Sequence, residues 1–355
     1  MADMPRLWIR HEARSTERRA PIVPADARRL VEHGFQVTVE ESPQRVFPLE
    51  EYTAAGCETA PAGGWSGAPQ QAYVLGLKEL PEDGSALTHR HIFFGHAYKG
   101  QQGSRELLGR FNAGGGALLD LEYLVDDMGR RLAAFGYWAG YVGAALAVLH
   151  SRGALRAPLE PLAKAELDRR LAEPHDGEQP SVLVVGALGR CGRGALDALA
   201  TAGLAATGWD VAETRQLDRS ALLDHDLLLN TVLTTRAVEP FLRPADLDEP
   251  LRRLSVICDV TCDVTSAFNV LPVYDTVTSW QQPVRRLREG KPLDLIAIDN
   301  LPSLLPAEAS RAFSAELLPQ LLPLALGEAA APAWQRCLSD FRTACRANDL
   351  EAPDA

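Results

Sequence analysis

The chain is built from short apolar runs, each followed by a break rich in glycine or charge and then by a stretch with helical spacing. "LWIRHE" is the first such run. "PADARRLVEHG" follows as a helix that starts at Pro24 and is stopped by Gly34, and "FQVTVEE" is the next strand. Val37, Thr38 and Val39 form the β-branched series of a buried parallel strand. "QAYVLGLKEL" and "HIFFGHAYKG" are two further strand-then-loop units, "GSRELLGRFNAGG" is a helix ended by glycines, and "ALLDLEYL" is another strand. This alternation predicts a parallel sheet covered by helices.

Residues 151–180 interrupt the pattern with proline and charge, which reads as a connecting helix and an exposed loop near a domain boundary. From 181 the pattern restarts. Strands are expected over 181–186, up to Asp210, and over 226–233, 254–260 and 293–300, with a helix over 190–202. The tail has helical spacing. At 355 residues, two domains are the natural expectation. The fold class is therefore α/β, with a domain boundary near the 151–180 stretch.

Composition narrows the function classes. An apolar share of 46% with 23% charged residues is globular, and a net charge of -11 argues against nucleic acid as a partner. The N-terminus lacks the apolar core of a signal peptide. The run "AAFGYWAGYVGAALAVLH" approaches membrane-span length, but its Ala, Gly, Tyr and Trp content fits a buried helix better. Six scattered cysteines, with only Cys258 and Cys262 close together and no histidine cluster, predict no metal site and reduced thiols in a cytoplasmic protein.

"SVLVVGALGRCGRGALDALATAGLAATGWD", residues 181–210, carries the first chemical signal. Gly186, Gly189, Gly192 and Gly194 fall between an apolar strand and an Ala/Leu helix. A pyrophosphate must approach backbone N–H groups at a helix start, where side chains would block it. Asp210, 24 residues after Gly186, ends the next strand. An acid there accepts hydrogen bonds from the adenosine ribose and repels a 2′-phosphate, so NAD is expected over NADP. The spacing is G-x-x-G-x-x-G rather than G-x-G-x-x-G. Arg190 either covers a phosphate or is a solvated helix residue.

The first half supplies ionisable groups at strand ends: Lys78 in "GLKEL", His96 and Lys99 in "FGHAYKG", and Glu122 in "LDLEYL". Parallel strands deliver such residues to one crevice, and a lysine beside a histidine and a carboxylate is a plausible acid/base set. Taken singly, each is equally a surface charge.

"ERRAPIVPADARRLVEHGFQVTVEESPQRVF", "GLKELP", "HIFFGHAYKGQQG", "LLDLEYLVDDMGRRLAAFGYWAGYVGAA", "VLVVGALGRCGRGA" and "IDNLPSLLP" resemble the NAD-dependent, lysine-forming saccharopine dehydrogenases, relatives of alanine dehydrogenase and the transhydrogenase N-terminal domain. The resemblance runs from about residue 6 to about 345. It implies reversible conversion of saccharopine, NAD and water to L-lysine, 2-oxoglutarate and NADH by a monomer of two Rossmann-like doubly wound domains with the site in the cleft between them. The first would take residues 1–136, joined by C-terminal helices at about 318–350, and the second residues 137–317, including the long Ala/Gly helix. The resemblance also implies Lys78 and His96 as the acid/base pair, with Glu79 and Glu122 tuning the local charge. Arg19, Arg14, Lys99 and Arg131 would meet substrate carboxylates; Gly186, Leu188, Gly189, Arg190, Cys191, Gly192, Asp210 and Asp299 would line the cofactor. Thr231 stands where some members carry a second cysteine, so no disulfide can join that position to Cys191. Asn300 stands where a histidine is common. Two alternatives stay open: a related secondary-amine (opine-type) or alanine-dehydrogenase-like enzyme, and a non-catalytic NAD-binding protein.

Overall fold

The computed structural model describes residues 4–101, 103–234, 236–264 and 266–350. The chain divides into two compact units. One runs to Ala134 and resumes at Ala309, and the other spans Phe135–Glu308.

Unit 1 holds six strands, β1 (Arg6–Ile9), β2 (Gln36–Glu40), β3 (Glu58–Ala60), β4 (Tyr73–Leu75), β5 (Arg90–Phe93) and β6 (Ala117–Asp120). They form one parallel sheet in the order β3-β2-β1-β4-β5-β6. The chain order reverses direction between β1 and β4, so the loops leaving their carboxyl ends part there and open a crevice. Helices Pro24–Glu32 and Ser104–Gly114 are the two expected from the sequence. The sequence reading brings the chain back at about 318, whereas the structure does so at Ala309, inside the helix Pro306–Leu321. Two buried serines account for the difference. Ser310 Oγ accepts from Ala20 N at 2.8 Å, Ser314 Oγ accepts from Val23 N at 3.1 Å, and Ser314 Oγ donates to Asp26 at 2.6 Å.

Unit 2 holds β7 (Val182–Val185), β8 (Ala206–Trp209), β9 (Leu227–Asn230), β10 (Val256–Asp259), β11 (Arg285–Arg288) and β12 (Leu293–Ile296). Their order is β11-β12-β10-β9-β7-β8, parallel except for β11, which runs antiparallel to β12 at the edge. The sequence pattern misses β3 and β11 for one reason. "ETA" and "RRLR" have no apolar run, because an edge strand is covered on fewer sides and tolerates charge.

The long Ala/Gly stretch becomes the helix Gly136–Ser151, with every residue from Gly140 to Leu149 buried. Among the described residues no helix is long and apolar enough to cross a membrane. Its packing on the helix Arg190–Thr201 is backbone against backbone. A Cβ at Gly140 would overlap the Cys191 carbonyl, and one at Gly194 would overlap that of Tyr137. Gly109, in the middle of the helix Ser104–Gly114, has nothing near a Cβ. Gly140→Ala and Gly194→Ala should therefore each lower unfolding free energy by about 1–3 kcal/mol through overpacking. Gly109→Ala should raise it by about 0.5–1 kcal/mol through helix propensity. Urea denaturation of the three variants checks this, and the opposite signs are the decisive feature.

Candidate active site

The parallel sheet of unit 1 sends the ends of β1, β4, β5 and β6 to one edge, and the ionisable residues of the first half follow those ends. After β1 come Glu12, Glu17 and Arg19, all buried. Arg19 forks onto Glu17, with Nε 2.8 Å from Oε1 and Nη2 2.5 Å from Oε2. Burial pushes the Glu17 carboxyl up, but Arg19 outweighs it, helped by the charge of Lys78, and holds it below its usual range. Glu12 accepts from Leu77 N at 2.6 Å and from Lys78 N at 3.0 Å. Burial raises its pKa, with Arg10 opposing at 3.3 Å. The Lys78 carbonyl accepts from the Arg10 guanidinium. The turn that presents the half-buried Lys78 is thus clamped at both its N–H and its C=O by charged groups from the end of β1.

The second cluster lies after β5 and β6. His96 has φ +48°, a left-handed backbone that a non-glycine residue adopts only at the expense of strain. Its ring stacks on Phe94 with centroids 6.5 Å apart, and its Nδ1 lies 3.3 Å from Glu122 Oε2. Lys99 Nζ lies 3.2 Å from Glu122 Oε1. The contact from His96, against an opposing burial effect and with Lys99 and Arg131 adding their charges, lowers the Glu122 pKa to about 2. An ionised carboxylate accepts only, so the His96 proton belongs on Nδ1 and Nε2 keeps a lone pair. Glu79 and His96 line one cavity of about 480 Å³. Arg14 is bound by Glu79, Nε to Oε1 at 2.9 Å, on the exposed side.

In unit 2 the switch in chain order falls between β7 and β9. Gly186, directly after β7, has φ +86°, and a Cβ there would strike Thr231 Oγ1. Thr231 donates to the carbonyl of Val185 at 2.8 Å and lies 3.2 Å from that of Gly186, so its hydroxyl pins the turn. A Cβ on Gly192 would overlap the Gly186 carbonyl and Ala187, so the helix Arg190–Thr201 starts hard against the turn. The first N–H groups of such a helix have no partner within it, and glycines at 189 and 192 leave them open to a pyrophosphate. Asp210, after β8, accepts from Leu188 N at 3.0 Å and Val211 N at 2.8 Å, one bond to each carboxylate oxygen. Each oxygen retains a lone pair for a ribose hydroxyl. The residues present fit a dinucleotide.

Several relatives match this chain along nearly its whole length, among them the following two. A saccharopine dehydrogenase (NAD+, L-lysine-forming) of Emericella nidulans is 41% identical over 344 residues, covering 90% of this chain and 92% of the relative. The Schizosaccharomyces pombe protein of the same description is 40% identical over 361 residues, covering 96% and 98%. The chain belongs to the saccharopine dehydrogenase (NAD+, L-lysine-forming) family. Residues 8–142 also match the alanine dehydrogenase/PNT N-terminal domain. Among solved structures, an L-alanine dehydrogenase superposes with a TM-score of 0.68 at 16% identity, covering 97% of this chain and 99% of that one. A transhydrogenase from Sinorhizobium meliloti gives 0.64 at 16% identity, covering 90% and 94%. These two likenesses concern the fold alone, and they agree with the two-sheet α/β class expected from the sequence.

Within this saccharopine dehydrogenase fold the expected site residues fall into distinct settings. His96, Lys99, Glu122 and the charge of Arg131 come together. Lys78 shares its surroundings with Glu17 and Glu12. Arg19 is 5% exposed and engaged by Glu17, while Arg14 sits outside against Glu79. Asp299 is exposed after β12, and Asn300 is buried, its carbonyl accepting from Ser303 N. Cys191 faces Gly136 across the helix pair and is in no disulfide. Sequence reasoning missed Glu12, Glu17 and Asp120. The first two lie in a run of mixed charge that reads as surface. Asp120 had a signal, a lone acid inside the apolar strand "ALLD".

The depressed Glu122 pKa makes a stability prediction. Its folded value near 2 lies below the ordinary 4.5, so the stabilisation is complete above 4.5 and lost as pH falls toward 2. Because His96 and Lys99 are about half exposed, screening reduces the contribution to about 1–2 kcal/mol. Glu122→Gln should lose that much at pH 7, and the gap should narrow by about half at pH 3. Urea curves at both pH values test it; a constant gap would refute this origin.

Proposed function

We propose that the protein catalyses the reversible, NAD-dependent oxidative cleavage of saccharopine to L-lysine and 2-oxoglutarate. The observation that carries the reading is the His96–Glu122–Lys99 cluster, beside the clamped Lys78 turn, in a chain about 40% identical to lysine-forming saccharopine dehydrogenases over almost its full length.

The chemistry asks for several proton transfers in sequence, and the residues divide them. When bound, NAD accepts the hydride from the carbon bearing the secondary amine. That amine must first be neutral, and Lys78 takes its proton; Glu17 next to it balances the charge so acquired. His96, with Nδ1 directed to Glu122, has Nε2 available to take a proton from the water that adds to the substrate imine carbon. The same imidazolium then returns the proton to the departing lysine nitrogen, and the neutral ring so formed takes the carbinolamine hydroxyl proton as the C–N bond breaks and the keto group forms. Its exposed ring edge lets water reach it, and the ionised Glu122 stabilises the imidazolium. Saccharopine carries three carboxylates. Arg14, Lys99 and Arg131 offer cations on the accessible side, whereas Arg19 is already forked onto Glu17.

The protein mixed with NADH, 2-oxoglutarate and single amino acids should consume NADH with lysine. Turnover only with another amine would make it an opine-type enzyme, and NADH binding without turnover would make it a non-catalytic protein. His96→Gln together with Lys78→Met should lower kcat by about two to four orders of magnitude, the range for lost general acid–base catalysis, with NADH affinity nearly intact. Loss of NADH binding would place these residues elsewhere.

The acid after β8 yields a second expectation. Asp210→Ser removes the negative charge that opposes a 2′-phosphate, so the ratio of kcat/KM for NAD over NADP should fall at least tenfold, about 1.4 kcal/mol. An unchanged ratio would move the ribose contact to another residue.

A further inference from the structure

Asp120 ends β6 two residues before Glu122 and is fully buried, yet the roles assigned above leave it without work. Its Oδ1 accepts from Glu122 N at 2.8 Å, and its carbonyl accepts from Tyr123 N at 3.0 Å. These bonds fold the chain so that the Glu122 side chain turns toward His96 and Lys99. Its Oδ2 is buried with no hydrogen bond of normal geometry and lies against Gly95, where a Cβ would come within 3.3 Å of it. Gly95 directly precedes His96. The carboxyl therefore touches the backbone on both sides of the His96–Glu122 contact, one oxygen on each.

We propose that Asp120 is a positioning residue of this site, fixing Glu122 through its backbone N–H and holding a second negative charge behind His96. The inference rests on the reading of His96 as a proton-transfer group.

Two carboxyls two residues apart have been driven in opposite directions. Burial pushes Asp120 up to about 6, with the Glu122 charge adding to the rise and the Glu122 N–H and His96 opposing it. Glu122 is held at about 2. Asp120 thus gains its charge just below neutrality, and an anion there and a protonated His96 favour one another. The other ionisable groups facing this carboxyl are Tyr98 and Tyr123 from the adjoining loops and Cys337 from the helix Pro332–Ala347, with Asp340 behind Cys337. Burial raises the pKa of each of the first three, so none carries a charge at neutral pH that could substitute for Asp120.

The test compares the full chain with Asp120→Asn, which keeps an oxygen acceptor for Glu122 N–H and replaces the other carboxylate oxygen with an uncharged NH2. The His96 ring is titrated by NMR without substrates, its signal assigned by its absence in His96→Gln. Losing the anion should lower the His96 midpoint by roughly half a unit to one unit. The acid limb of kcat/KM should move the same way, with NADH affinity within twofold. A His96 midpoint that stays put or rises overturns the proposal, as a purely structural Asp120 would leave it unmoved. If Asp120→Asn does not fold, the wild-type Asp120 carboxyl carbon decides. Titration near pH 6 with a matching inflection on His96 supports the proposal, and a carboxyl still protonated at pH 8, or one whose ionisation leaves no inflection on His96, overturns it. Absence of turnover with lysine and 2-oxoglutarate would sink the assigned reaction, yet the ring titration would still judge Asp120.

Discussion

Buried charge at the carboxyl edge of the first sheet is the constraint on which the rest of this structure turns. Glu12, Glu17 and Asp120 are each at most 4% exposed, and an isolated buried carboxylate is too unfavourable to persist. Each is matched differently. Glu17 meets the Arg19 fork, Glu12 meets Arg10 and two backbone N–H groups, and Asp120 meets one N–H and a raised pKa. These matches fix the loops after β1, β4 and β6, and so fix the side chains that do chemistry. The strain at His96 persists only because its surroundings over-determine it.

The second unit solves a different problem, close approach rather than charge. The Gly186 turn, the Gly192 contact with it, and the glycine contacts between the helices Gly136–Ser151 and Arg190–Thr201 bring backbone to backbone where side chains would intrude. Thr231 closes the turn with its hydroxyl. A residue that removes the possibility of a disulfide thus supplies a hydrogen bond in the same neighbourhood, and Cys191 stays out of any disulfide.

Much of this was legible in the order of residues. Apolar runs marked ten of the twelve strands among the described residues, with looser bounds than the structure gives them. They failed at β3 and β11, whose short charged edges bury too little to leave a pattern. Lys78, His96, Lys99 and Glu122 stood out because each follows an apolar run. Glu12 and Glu17 did not, since in "HEARSTERR" nothing separates an acid that will be buried from one that will be solvated.

The sequence by itself determined the two α/β units, the glycine turn with its acid, and the family, because these depend on local periodicity, backbone sterics and whole-chain similarity. Only the tertiary structure decided which charges are paired. It took the arginine at 19 out of solvent onto Glu17, turned Ser310 and Ser314 back to the first sheet, and set Asp120 behind His96 and Glu122. The reason is physical. The energy of a charge depends on its distance from other charges and from water, and strands far apart in the chain set those distances only once the sheet has formed.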